Sequence, residues 1–192
     1  MPLSEYRRKR DFRKTPEPSG SVRRTKQMEP VFVVHKHKAT HLHYDLRLEI
    51  GGVLKSWAIP KGPSMNPADK RLAVMVEDHP FDYKDFEGVI PEGEYGAGTV
   101  MIWDYGTYAT AGEDAAAALE RGALKLQLNG RKLKGGFALV RTRMGGKEQN
   151  WLLIKEKDQF AVAAPPITQA QPDSARSGKS IEEIAQQGDG ER

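Results

Sequence analysis

The sequence predicts a mainly β fold, either a closed barrel or a sandwich, with one short helix, an extended basic N-terminal arm and a flexible C-terminal tail. Three observations predict it. Short β-branched and aromatic runs follow one another at close spacing. Turn residues separate them, and Gly51-Gly52 is the clearest two-residue hairpin signal. Both ends change composition, the first toward Lys and Arg, the last toward Ala, Pro, Gln, Ser and Gly. A length of 192 residues suits one compact domain plus tails.

Residues 1–28 are the arm. Residues 1–27 hold nine Lys or Arg against Glu5, Asp11 and Glu17, a balance of +6 within a net charge of +4, which leaves −2 for the rest. Pro16, Pro18 and Gly20 break any helix there. Basic arms of this kind meet polyanions. Residues 29–160 are the body. Its strands are expected at Val31–Val34, Leu42–Ile50, Val53–Ile59, Leu72–Glu77, Thr99–Trp103, Leu124–Leu128, Phe137–Arg141 and Trp151–Lys155. The helix is expected at Glu113–Arg121, with Gly122 as its stop. Between Asp78 and Gly98 lies a long segment rich in Pro, Gly and aromatics, and a loop of that length is usually functional. Residues 161–192 read as a flexible tail or linker, in which Ser180 and Glu183 form a capping pair for a short helix through Ala185.

The absence of cysteine excludes disulfides, a thiol nucleophile and thiolate zinc sites, and fits a reducing compartment such as the cytoplasm. Any metal must be held by nitrogen and oxygen. No apolar run approaches a membrane span, and no apolar stretch follows the N-terminal charges as in a secretory signal.

The chemistry concentrates in His41-Leu42-His43-Tyr44-Asp45-Leu46-Arg47-Leu48-Glu49-Ile50. Even positions are apolar and odd positions polar, so the two sets face opposite ways on a strand. Four of the five histidines, His35, His37, His41 and His43, fall within nine residues. Imidazoles beside a carboxylate have the composition of a metal site; the plainer reading is a strand with one wet face. His43 and Asp45 reach one point from one face. His37 is the best third ligand, because residues 38–40 can turn it back over the strand; His35 and His41 are alternatives. Two imidazoles and one carboxylate leave coordination positions open, which favours catalysis over a closed structural site. Manganese or zinc suits such a set, with manganese preferred. Arg47, two residues on, suits a phosphate, or else a salt bridge.

The fifth histidine opens His79-Pro80-Phe81-Asp82-Tyr83, where Pro80 fixes the chain direction at a strand end. His79 there can donate a proton or bind a phosphate oxygen. Lys61 lies in the stiff Pro60-Lys61-Gly62-Pro63 loop, and Arg71 opens the next strand. Each is a phosphate contact or an ordinary surface cation. The glycine-studded run 87–98 lacks the Lys-Ser/Thr ending of a nucleotide P-loop and reads as a barrel corner.

The combined pattern closely resembles the 3′-phosphoesterase domain of bacterial DNA ligase D. The residues that carry the resemblance are His37-x5-His43-x-Asp45-x-Arg47, Leu54-Lys55-Ser56-Trp57 and Pro60-Lys61-Gly62-Pro63-Ser64. After them come Glu77-Asp78-His79-Pro80, Tyr83, Glu87-Gly88 and Tyr95-Gly96-Ala97-Gly98. The likeness runs from about Tyr6 to about Lys155. It implies a small closed β-barrel. It also implies a manganese-dependent enzyme, with cobalt or zinc as substitutes, that removes 3′-terminal ribonucleosides and 3′-phosphates to leave a 3′-hydroxyl in double-strand break repair. By the same resemblance His37, His43 and Asp45 hold the metal, Arg47 and His79 contact the scissile phosphate, and Tyr83 supports that site. Lys61 and Arg71 serve substrate binding or phosphate removal. Lys9-Arg10-Asp11-Phe12 and Thr15-Pro16-Glu17-Pro18 resemble the family's N-terminal motif, which brings Arg10, Asp11 and Glu17 into the active site. His35 and His41 match no family ligand.

The implied partners are DNA primer-template 3′ ends, Ku, and ligase or polymerase modules, for a monomer at the nucleoid. The chain is shorter than such a multi-module ligase, so a stand-alone version or an excised piece is expected; residues 177–185 resemble a linker beside such modules. Two other classes compete. A non-catalytic DNA-end binding module predicts salt-dependent binding without turnover. An iron oxygenase would use His43, Asp45 and His79 as its triad.

Overall fold

A computed structural model of the chain describes residues 3–20 and 29–190. The part of the expected arm at 21–28 lies outside the described residues. Nine strands form one antiparallel sheet: β1 (Val31–Lys38), β2 (Leu42–Ile50), β3 (Val53–Ile59), β4 (Lys70–Pro80), β5 (Gly88–Ile90), β6 (Gly98–Thr110), β7 (Ala123–Gly130), β8 (Lys134–Arg141) and β9 (Asn150–Lys155). The order β1-β2-β3-β4-β9-β8-β7-β6 returns on itself because β1 also pairs β6. Eight strands therefore close a barrel, and β5 adds a short piece to β6.

Alternation builds the wall. Leu46, Leu48, Trp57, Trp103 and Trp151 point inward and are buried in the main core. Gly51 and Gly52 take φ of 64° and 81°, the paired positive values that a tight β2–β3 hairpin needs. β6 runs past its expected end at Trp103 to Thr110. One of its edges serves β5 and then β7, while the other serves β1, so pairing on both sides carries it through Gly106. β1 likewise continues past Val34 to Lys38, which puts His35 and His37 inside a strand. Gly98 marks a true close approach: a Cβ there would sit 2.2 Å from the Lys38 carbonyl oxygen.

The expected 78–98 loop is more ordered than its composition suggests. β4 extends to Pro80, a 3-10 helix spans Phe81–Asp85, and β5 follows. Helix content also exceeds the single expected helix. α2 (Ala115–Arg121) matches that expectation, capped by Asp114, but α1 (Ser4–Arg8), α3 (Ile167–Ala170) and α4 (Ile181–Asp189) join it.

Both terminal segments correct the sequence reading. The described arm is not extended. After α1 it folds over the outside of the barrel, with Tyr6 fully buried in a second small core beside Val33, Leu54, Tyr83 and Ile102. The Tyr6 hydroxyl donates to Pro18 O at 2.7 Å and ties the two ends of the arm together. The tail is not loose either. Ile167, Ile181 and Ile184 are buried in the main core, Trp103 Nε1 donates to Gln171 O at 2.8 Å, and Ser174 Oγ donates to Glu87 at 2.7 Å. The capping box of Ser180 and Glu183 is formed, and its helix runs on to Asp189. Three isoleucines in a polar stretch barely change its composition, yet each removes apolar surface worth about 2 kcal/mol from water.

Candidate metal centre and phosphate cleft

Register decides which side chains meet. Across the β1–β2 hairpin His37 faces His43, His35 faces Asp45, and Val33 faces Arg47. Directly opposed residues share a face, so these polar groups gather on the outside of the barrel. β3 adds Ser56 opposite Arg47. On β4 the pairs are Ser56–Val76 and Leu54–His79, so three steps of β4 match two of β3. This bulge turns His79 onto the outer face with Val76, where strict alternation would have sent it inward. The arm then covers the assembly. The remaining opening is a cleft of about 280 Å³ whose lining includes Arg10, His37, Asp45, Arg47, Glu77, His79 and Tyr95.

His37, His43 and Asp45 present ligand atoms that all lie within 4.8 Å of one another. His37 Nε2 donates to Gly96 O at 2.8 Å, and His43 Nδ1 donates to His41 O at 3.1 Å. A carbonyl only accepts, so each ring carries its proton on that nitrogen and keeps a lone pair on the other. Those free nitrogens face the carboxylate: His37 Nδ1 lies 3.9 Å and His43 Nε2 3.6 Å from Asp45 oxygens. Imidazoles pinned by a backbone carbonyl on one side, with the other nitrogen free, are what a divalent cation requires of its ligands. Burial alone would raise the Asp45 carboxyl, but the Arg47 guanidinium leads the neighbours that outweigh it and hold it down to about 2. The carboxylate is therefore ionised and ready to ligate.

The alternatives for the third ligand differ from His37 in hydrogen bonding and exposure. Both nitrogens of His35 are engaged, Nδ1 accepting from Arg47 Nε at 3.0 Å and Nε2 donating to Phe86 O at 3.0 Å. Burial first, then Arg47, holds its pKa well below the usual value, so it stays neutral. His35 is an orienting group for Arg47. His41 is exposed and contributes its carbonyl. Arg47 is held at three points: His35, Ser56 Oγ at 2.9 Å through Nη1, and Asp45 at 3.3 Å through Nη2.

His79 is buried, with Nδ1 donating to Glu77 O at 3.0 Å and Nε2 facing Arg10 Nη2 at 3.4 Å. Burial, Arg47 and Arg10 all lower its pKa, which keeps it neutral with an acceptor at Nε2. It is not part of the three-residue ligand cluster, as the oxygenase reading required. Tyr83 packs edge-on to His79 and His35, lies under the Arg47 guanidinium at 4.9 Å, and donates its hydroxyl to Glu17 at 2.9 Å. Glu17 also accepts from Arg10 Nε at 2.8 Å and Thr15 Oγ at 3.0 Å. A buried carboxylate with three donors is a satisfied one.

The expected residues divide accordingly. Arg10, His37, His43, Asp45, Arg47, His79 and Tyr83 line the cleft, and Glu17 sits directly behind it. Asp11, Lys61 and Arg71 do not line it. The Asp11 carboxylate pairs with Arg13 at 2.9 Å, and its carbonyl accepts from Lys14 and Thr15 in the turn leading to Glu17. Lys61 is exposed on the turn after β3. Arg71 contacts Asp69 at 3.4 Å, and its buried Nε has no hydrogen-bond partner among the described residues. Glu77 in the cleft and Ser56 against Arg47 carry roles the sequence reading did not assign. Glu77 binds Lys9 at 3.2 Å and Arg10 at 3.5 Å, and Ser56 braces Arg47. Both lie within strings that carried the resemblance.

A barrel whose outer cleft joins a cation triad to buried guanidiniums and a neutral imidazole has the chemistry of a phosphoesterase. The sequence model of the DNA ligase D 3′-phosphoesterase domain matches residues 35–141. The chain is 51% identical over 183 residues to the multifunctional non-homologous end joining protein LigD of Pseudomonas aeruginosa, covering 94% of this chain and 22% of that one. It is 44% identical over 157 residues to the multifunctional non-homologous end joining DNA repair protein LigD of Mycobacterium tuberculosis, covering 82% and 20%. A LigD from Mycolicibacterium smegmatis is also 44% identical, over 162 residues. The chain belongs to the DNA ligase D 3′-phosphoesterase domain family. It spans about a fifth of the length of these relatives. Among the described residues no helix is long and apolar enough to cross a membrane.

Proposed function

We propose that this chain is a manganese-dependent 3′-end-processing phosphoesterase, which removes 3′-terminal ribonucleosides and 3′-phosphates from DNA and leaves a 3′-hydroxyl. The observation that carries the reading is the pair of imidazoles, each with one nitrogen pinned by a carbonyl and the other facing Asp45, beside a braced guanidinium. A divalent cation held by His37, His43 and Asp45 would neutralise phosphate charge and polarise its P–O bonds.

The chain's own residues do the rest. Arg47 cannot swing, because three partners fix its plane, so it offers pre-aligned donors to a terminal phosphate. Arg10 reaches the cleft from the arm, and Glu17 and Glu77 hold it there. His79 is neutral while both guanidiniums face it. An arriving phosphate dianion reverses that field and favours the protonated imidazole, which then donates to a phosphoryl or leaving oxygen. Tyr83 supports His79 and Arg47 from beneath. Asp11 shapes the turn that delivers Glu17, and Lys61 and Arg71 contact DNA outside the cleft. The working unit comprises the arm and residues 29–160, at DNA ends with Ku and with ligase or polymerase modules, as a cytoplasmic, nucleoid-associated monomer.

The test is a labelled primer-template ending in one 3′-ribonucleotide, incubated with manganese and, in parallel, with EDTA. Stepwise shortening to a 3′-phosphate and then a 3′-hydroxyl, absent with EDTA, is the expected result. Clean DNA binding without cleavage would replace this reading with a recruitment module.

A further inference from the structure

Among the described residues, Tyr95 is the one tyrosine, phenylalanine or tryptophan at the cleft that is open to solvent. It is 47% exposed, whereas Tyr83, the other aromatic ring outside the histidines in the lining, is 2% exposed. Water contact on that scale leaves ring surface available to a ligand. Its position is fixed by backbone. Glu94 N bonds Pro91 O at 3.2 Å, Ala97 N bonds Glu94 O at 3.1 Å, and Gly96 O, two residues on, receives the His37 proton at 2.8 Å. The ring is therefore one residue from a group that orients a proposed metal ligand. Lys9 Nζ and Arg10 Cζ lie 4.9 and 5.1 Å from its centroid, and Lys9 also donates to its hydroxyl at 3.4 Å. These cations hold the ring without covering it, and they increase the positive field at the mouth of the cleft.

We propose that Tyr95 is the stacking platform for the nucleobase attached to the terminal 3′-phosphate. This rests on the 3′-end-processing reading above. Phosphate groups are served by Arg47 and Arg10, but a nucleotide also presents a flat apolar base, and apart from the proposed metal ligands the cleft offers it no other exposed ring among the described residues. Stacking on an exposed aromatic is tolerant of base identity, which suits an activity that must accept whatever nucleotide ends a broken strand. The cleft volume of about 280 Å³ lies near the lower end for small-ligand pockets, enough for one terminal nucleotide and too little for a duplex. A ring at the mouth is placed to receive the base of that nucleotide.

The experiment uses two duplexes with a 3′-phosphate, one on an ordinary terminal nucleotide and one on an abasic terminal residue. Wild type, Y95A and Y95F are compared in turnover with manganese and in equilibrium binding with EDTA. Y95A is expected to raise KM and Kd about 10-fold on the base-bearing end and much less on the abasic end, with Y95F recovering most of the loss. Equal losses on both ends would overturn the proposal in favour of a loop or arm anchor, and no loss on either end would overturn it outright. If wild type turns over neither end, the 3′-phosphoesterase reading fails by itself, and the binding comparison still decides whether Tyr95 stacks a base.

Discussion

Strand β2 buries both of its faces by opposite means. Inward, Tyr44, Leu46 and Leu48 meet other apolar groups. Outward, Asp45 and Arg47 are just as buried, at 6% and 4% exposure, but among histidines, a serine and a folded-over arm. The inner face gains stability from every residue. The outer face spends some of it, because buried charges recover their desolvation cost only through complete pairing. The two faces therefore divide the labour of one strand between holding the fold and doing the chemistry, and substitutions can separate them.

The largest effect is expected from His43→Ala. Its side chain is partly exposed at the rim of the proposed metal site, so its removal should cost activity far more than stability. Loss of a direct ligand is expected to lower turnover by more than about 100-fold, beyond the range for an outer-sphere partner, with little change in Tm. The mirror test is Leu46→Ala on the inner face. It is expected to cost about 2–5 kcal/mol of unfolding free energy in a denaturant titration, while the molecules that stay folded keep the proposed metal site. A His43→Ala protein that unfolds, or a Leu46→Ala protein that folds normally but loses metal, would break the division.

A smaller effect sharpens it. His35→Ala removes the acceptor that fixes Arg47 Nε and leaves that donor buried. A loss of about 10-fold in kcat is expected. His35→Gln offers one acceptor and one donor at similar reach, toward Arg47 and Phe86 O, and is expected to restore most of it. The smallest effect is on pH. His35, His37 and His79 are lowered by burial first, so the unfolded chain binds protons that the folded chain refuses as pH falls below about 6.5. The fold is therefore destabilised on acidification. His43, raised chiefly by the Asp45 carboxylate beside it, has the opposite sign: its contribution is present below its unfolded pKa and lost as pH rises through its folded one. Three against one, Tm is expected to fall from pH 7 to pH 5 in metal-free buffer, and His35→Gln is expected to flatten that slope.

The inner face was legible because period-two alternation names its residues directly, and Leu42–Ile50 was located residue for residue. The outer face was legible in part. Clustered histidines pointed to His37, His43 and Asp45, and the register of β1 on β2 brings them together. That His35 orients Arg47 was not legible, because the bond that fixes its ring runs to Phe86 O, far along the chain. Glu77 was hidden by the bulge that re-aims β4. The terminal segments misled for one shared reason. Composition averages over a stretch, while docking depends on single anchors such as Tyr6 in the arm and Ile181 in the tail.

The most direct test of the outer face as a cation site is manganese binding to the full chain, followed by electron paramagnetic resonance and calorimetry, in wild type, His43→Ala and His35→Gln. One ion bound by wild type and His35→Gln, and weakened more than about 100-fold in His43→Ala, is the expected result. Equal manganese affinity in wild type and His43→Ala would contradict the assignment of His37, His43 and Asp45 and require the cluster to be explained without a metal.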